Sequence, residues 1–119
     1  MNQHEKLNYV EFGAKNLEAT KSFFSLVFGW EFVDYGPEYT AFSNQGLDGG
    51  FFKSDYCNQT KTGGALLVFY SSDIKATLNK VIQNGGEIIR PIFEFPGGCR
   101  FHFLEPSDNE FAVWSETNT

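Results

Sequence analysis

Two side chains in this sequence could move a proton inside an apolar setting, Glu11 and His102, and each stands in a run that alternates as a strand does. In residues 7–13, alternation puts Tyr9 and Glu11 on one face and Val10 and Phe12 on the other; in residues 100–104 it sets His102 opposite Phe101 and Phe103. A carboxylate on the inner face of a strand is costly to bury alone. Glu11 is therefore either a base or a binder of a cationic group, or it is paired with Arg100 or placed near solvent. The imidazole of His102 suits general acid–base work at neutral pH, with a hydrogen-bonded packing role as the alternative. Tyr9 offers either a hydrogen-bonding tip or a space-filling ring. Other chemistries lack their parts. There is no Gly-x-Ser-x-Gly elbow and no phosphate loop, and Cys99 and His102, three residues apart on one strand, point to opposite faces. Cys57 and Cys99 form no C-x-x-C pair and read as reduced thiols. No cofactor is expected.

These residues are positioned by a unit that the chain uses twice. Asn16-Leu17-x-Ala19-Thr20 recurs 57 residues later as Asp73-Ile74-x-Ala76-Thr77, and Phe12, Phe24, Gly29 and Phe32 fall on Phe69, Val81, Gly86 and Ile89. Each copy reads as a strand, a capped helix ended by glycine, and three further strands. The offset grows to about 61 after the second helix, because the loop at 96–98 is longer than its partner at 36–37; Phe42 then matches Phe103, and Phe51 matches Ala112. The expectation is an α+β protein of one domain over residues 1–119, with tandem βαβββ units at about 6–53 and 65–115 joined by a polar linker at about 54–64.

Several motifs on this frame carry a resemblance. Phe28-Gly29-Trp30-Glu31 closes the first helix, Asp73-Ile74 opens the second and Gly85-Gly86 ends it, followed by Arg90-Pro91 and Glu105-Pro106-Ser107-Asp108-Asn109. The chain from about residue 7 to 115 resembles the vicinal oxygen chelate superfamily, that of glyoxalase I, extradiol dioxygenases, fosfomycin-resistance enzymes and bleomycin-binding proteins. Its usual turn is D-P-x-G-N; here aspartate replaces the glycine, and Asp tolerates left-handed geometry well. The resemblance implies a curved mixed sheet around a central cleft, with the helices on its outer face. It also implies metal-ligand positions on the first and last strands of each unit, which fall on Tyr9, Phe51, Leu66 and Ala112. None of the four is a histidine or a carboxylate, so no metal is expected. A cleft walled by Tyr9, Glu11, Phe51, Leu66, His102, Ala112 and Trp114 suits a small, flat organic molecule. The expected function is metal-independent binding of such a ligand. The alternative is a lyase, isomerase or dioxygenase-type enzyme with an atypical metal site or Glu11/His102 acid–base chemistry.

Composition narrows the partners. A net charge of −6 with a pI near 4.8 and no Lys/Arg-rich run argues against nucleic acid and favours neutral or cationic organic ligands. No basic-then-apolar leader and no apolar run of membrane length occurs, so a soluble, cytoplasmic protein is expected. Most of the 14 phenylalanines should be core. Symmetric burial of aromatic sheet surface would favour a homodimer.

Overall fold

The computed structural model describes residues 2–116; residues 1 and 117–119 of the expected domain lie outside the described part. The first unit runs β1 (Tyr9–Ala14), α1 (Leu17–Phe28), β2 (Phe32–Asp34), β3 (Tyr39–Gln45) and β4 (Leu47–Lys53). The second runs β5 (Leu67–Tyr70), α2 (Ile74–Gln83), β6 (Glu87–Phe95), β7 (Gly98–Leu104) and β8 (Glu110–Glu116). The connection between them contains a single short 3₁₀ turn at Thr60–Thr62. Each unit makes its own four-stranded sheet, in the orders β1-β4-β3-β2 and β5-β8-β7-β6, with the first and last strands of each unit parallel and the others antiparallel. The result is the α+β architecture of two tandem βαβββ units.

Local chemistry sets the helix ends alike in both copies. The Asn16 carboxamide oxygen accepts from the Ala19 amide at 3.0 Å, and the Asp73 carboxylate accepts from the Ala76 amide at 3.2 Å, so each cap satisfies a donor that the first turn leaves free. Gly29 ends α1 at φ 74°; its amide turns back to the Ser25 carbonyl at 3.0 Å, and the Trp30 amide to that of Phe24 at 3.3 Å.

Both helices press on the same faces of the two sheets. Phe24 of α1 lies 5.5 Å from the Phe51 ring of β4 and 5.4 Å from the Phe111 ring of β8, while Phe12 of β1 lies 5.1 Å from Phe111. One aromatic core thus joins the halves, and each fully buried ring contributes on the order of 1.5–3 kcal/mol. The opposite face of each sheet is left uncovered by the helices. We refer to these as the open faces.

The halves are also tied by the turn between β7 and β8. Glu105 is 1% exposed, and its carboxylate accepts from the Thr20 hydroxyl at 2.7 Å, the Ser107 amide at 3.0 Å, and the Asn109 amide and carboxamide at 3.2 and 2.8 Å. Burial pushes this carboxyl above its ordinary value against the pull of those donors. Asn109, fully buried, donates to the Gly13 carbonyl of β1 at 2.8 Å and accepts from the Asn58 amide of the connection at 2.6 Å. Asp108 takes φ 69°, the left-handed geometry that the substitution of aspartate for glycine allows.

Asn109→Ala should strand buried partners in both halves and cost about 1–3 kcal/mol, read from the urea midpoint. Asn79→Ala, on the exposed side of α2, should stay within about 0.5 kcal/mol of the parent.

Candidate functional site

On the open face of the first sheet, Tyr9 and Glu11 come together around a residue that the sequence did not single out. Tyr39, on β3, donates its hydroxyl to the Glu11 carboxylate at 2.9 Å and also bonds the Tyr9 hydroxyl. Burial, Tyr9 and Glu11 together push the Tyr39 phenol well above its ordinary range. Tyr39 reaches across because β4 places Gly50 beside Glu11 in the ladder, and a Cβ at Gly50 would collide with the Tyr39 hydroxyl. Among the described residues Glu11 makes no ion pair with Arg100; its partner is a phenol.

Phe51 does not join this group. It is fully buried in the common core, its ring 5.4 Å from Phe12 and 5.8 Å from Phe42. The ladders pair Phe12 with Phe51 and Phe69 with Val113, so the last strands of the two units are related by an offset of 62 (113 − 51) rather than 61. The counterpart of Ala112 is therefore Gly50. A slip of one residue along a strand moves a side chain to the opposite face.

The open face of the second sheet gathers the other expected residues. Across it, Val68, Ala112, His102 and Arg90 are ladder neighbours, as are Tyr70, Trp114, Arg100 and Phe93. Leu66, half-buried, immediately precedes β5. Trp114 packs on Tyr70 at 5.2 Å and Phe95 at 6.3 Å. Ala112 is fully buried.

His102 is 7% exposed, and its Nδ1 meets Glu110 Oε2 at 3.1 Å. The other oxygen of Glu110 accepts from the Thr60 amide at 2.7 Å and the Thr60 hydroxyl at 2.9 Å. Burial pushes the Glu110 carboxyl up, but the Thr60 amide, His102 and the Thr60 hydroxyl outweigh it, and the group titrates below the ordinary glutamate value. No motif or spacing signals this arrangement: Thr60 belongs to the connection, and only its return to β8 makes it a partner. The Arg100 guanidinium lies 5.3 and 5.5 Å from the Phe93 and Phe95 ring centres, and Arg90 lies 3.7 Å from that of Phe93. Neither arginine makes an ion pair among the described residues. The same face carries the carboxylates of Glu110 and Glu116, the latter accepting from the Tyr70 hydroxyl at 2.8 Å.

The expected wall thus resolves into two clusters on separate sheets. Beside the second lies an apolar groove of about 350 Å³, opened where β1 and β5 stand as unpaired edges and lined by Phe12, Trp30, Leu67, Phe69 and Phe111 among others. None of the seven expected residues lines it, but Val68 and Tyr70 do, which makes it continuous with the second open face. Catalytic metals of this kind of fold need at least three nitrogen or carboxylate donors, and no group of three His, Cys, Asp or Glu side chains gathers among the described residues. Tyr9, Gly50, Leu66 and Ala112 do not fit a metal ion.

Paired βαβββ units, each with one sheet face left uncovered by the helices, define a fold class. The chain belongs to the Glyoxalase/Bleomycin resistance protein/Dioxygenase superfamily, whose family model matches residues 6–113. A glyoxalase/bleomycin resistance protein/dioxygenase family enzyme from Burkholderia phytofirmans PsJN superposes with a TM-score of 0.78 at 17% identity, over 94% of this chain and 99% of the other. The fosfomycin resistance protein FosX from Listeria monocytogenes gives 0.78 at 18% identity, over 97% and 96%. A lactoylglutathione lyase from Agrobacterium tumefaciens gives 0.69 at 18%, over 96% of each chain. At these identities the likeness is one of fold. No curated protein matches the chain in sequence.

Gly50→Ala should destabilise the protein by about 1–3 kcal/mol, because the new methyl meets the Thr40 carbonyl as well as Tyr39. Adding Tyr39→Ala should recover only part of the loss in a urea titration, since the backbone clash remains.

Proposed function

We propose that this member of the superfamily binds a small, flat organic molecule and works without the metal chemistry of its enzyme relatives. One observation carries the reading: the positions at which the resemblance places metal ligands bear a phenol, a hydrogen, an isobutyl group and a methyl, at Tyr9, Gly50, Leu66 and Ala112. None of these supplies the imidazole or carboxylate that a catalytic divalent ion needs. What the second open face does offer is aromatic surface at Tyr70, Trp114 and Phe93 with a few convergent polar groups, the usual make-up of an organic ligand site.

The pairing of His102 with Glu110 supports a second reading, in which the same face does metal-free acid–base chemistry. A carboxylate behind an imidazole fixes its tautomer and orients it toward a substrate, as a general base requires.

A homodimer in which open faces are mutually covered is part of the proposal. Val33, Phe52, Val68 and Tyr70 are 58%, 39%, 44% and 52% exposed, more apolar surface than isolated side chains need explain. A cytoplasmic site of action remains the expectation from composition, and among the described residues no helix is long and apolar enough to cross a membrane.

Zn²⁺, Ni²⁺, Mn²⁺ or Fe²⁺ should leave the melting temperature nearly unchanged, whereas a library of flat organic compounds should contain members that raise it, because a ligand that binds only the folded state stabilises it. One tightly bound equivalent of metal would overturn the metal-free reading, and a library without a single hit would overturn the binding reading. Sedimentation should give twice the chain mass.

A further inference from the structure

The groove between the unpaired edges of β1 and β5 has the size of a small-molecule site, about 350 Å³, and none of the twelve residues lining it is charged. Both sheets supply aromatic walls. Phe12 of β1 lies 5.1 Å from Phe111 of β8, which lies 5.7 Å from Phe69 of β5. Trp30, just beyond α1, lies 4.2 Å from Phe42 of β3 and 5.9 Å from Phe69. Phe42 is held back in its turn: a Cβ at Gly49 would lie 2.7 Å from the Phe42 Cζ, so the ring rests on bare backbone of β4. Rings that hold one another in this way leave the groove formed before any ligand arrives.

Three side chains of the lining carry a polar group: Gln45, Tyr70 and Trp30. Two of them are engaged. The Gln45 carboxamide donates to the Ser43 carbonyl at 3.3 Å, and the Tyr70 hydroxyl donates to Glu116, which lies outside the lining, at 2.8 Å. Trp30 differs. It is 6% exposed, its backbone amide and carbonyl are paired with Phe24 and Ser25, and its indole N–H has no acceptor among the described residues. Nor is the indole nitrogen among the unpartnered atoms shut off from solvent, which are Arg100 Nε and His102 Nε2. It therefore meets solvent, and the groove is the opening that Trp30 lines.

Resting on the binding reading above, we propose that the ligand is an uncharged, flat aromatic compound bearing a carbonyl oxygen, with its rings in this groove and its oxygen accepting from the Trp30 indole N–H. A charged ligand would enter a lining that holds no partner for it. A plain hydrocarbon would satisfy the walls but strip the indole N–H of water and give nothing in exchange. Val68 and Tyr70 belong both to the groove and to the second open face, so a substituent that outgrows the groove emerges there.

The chain has two tryptophans, Trp30 in the groove and Trp114 on the second open face, so fluorine NMR of the intact protein labelled with 5-fluorotryptophan reports which place a ligand takes. Four compounds of one skeleton are titrated: 2-acetylnaphthalene, 2-ethylnaphthalene, 2-naphthoate and 1-(2-naphthyl)ethylamine. The ketone should move the Trp30 resonance and bind about threefold to tenfold more tightly than the hydrocarbon, the worth of one hydrogen bond. The anion and the cation should bind at least about tenfold more weakly than the ketone. With Trp30→Phe, followed by calorimetry, ketone and hydrocarbon should come within about twofold of each other while the hydrocarbon still binds, which also shows that the variant folds. Leu47→Glu sets a carboxylate in the half-buried lining and should reverse the order of ketone and amine, a change that no unfolded variant can produce.

Equal binding of ketone and hydrocarbon, or a charged compound that binds as tightly as the ketone, would overturn the proposed ligand class. Compounds that move only the Trp114 resonance would overturn the groove as the seat while leaving organic-ligand binding intact. Silence of both resonances towards the four compounds and the whole compound library would overturn both readings. Should the wild type bind none of the four while Leu47→Glu turns a sedimenting pair into single chains, the occupant of the groove is a second copy, and the proposal falls.

Discussion

The buried carboxylate of Glu105 is the constraint on which the two-unit arrangement depends. Four hydrogen bonds converge on it within a fully shielded turn, and the side chains it orders, Ser107 and Asn109, reach out of their own half to the Asn16 region, to Gly13 and to the connection. A carboxylate in such a place costs heavily in desolvation and is tolerable only where donors surround it. The aromatic core between the halves is indifferent to small rotations, because stacked and tilted rings accept many offsets. The turn is not. Its directional bonds fix where the end of β1 meets the start of β8, and so fix the setting of the two sheets.

With helices and rings gathered on one side of each sheet, the other sides are left for function. Their chemistry differs: two phenols and a carboxylate join on the first, whereas the second sets two guanidinium groups and an imidazole among aromatic rings and the carboxylates of Glu110 and Glu116. Net charge did not anticipate this. A chain of charge −6 keeps two arginines on one face without an ion pair of their own among the described residues, their guanidinium groups lying against the Phe93 and Phe95 rings. Steering by the whole molecule and recognition at one face are separate matters.

The duplication was legible in the sequence because its signals are local: Asn16 and Asp73 as caps, Gly29 and Gly86 as stops, and phenylalanines at a constant spacing. The alternation of Tyr9 and Glu11 against Phe12 was legible for the same reason, since parity within a strand needs no knowledge of turns. Phe51 was misplaced because parity between strands does: one residue more in the β7–β8 turn than in its counterpart carries the offset from 61 to 62 and exchanges Phe51 for Gly50. Tyr39 and Glu110 escaped notice for a different reason. Each gains its role from a contact across the sheet or with the connection, at separations where sequence spacing carries no signal. Thr60 is the extreme case, a residue in an aperiodic polar stretch whose amide and hydroxyl both end on a buried carboxylate.

That last contact changes the standing of the segment between the units. Connections between duplicated halves are ordinarily where a chain accepts extra residues at little cost, since loop closure grows only slowly with length. Here the same stretch clamps Glu110 and, through it, the imidazole behind the second open face. A lineage that lengthened or shortened the segment near Thr60 would keep its fold and its core while loosening one ring nitrogen's setting. Once the two units were fused, drift in a spacer became a way to retune chemistry in the second unit without altering any residue that a ligand touches.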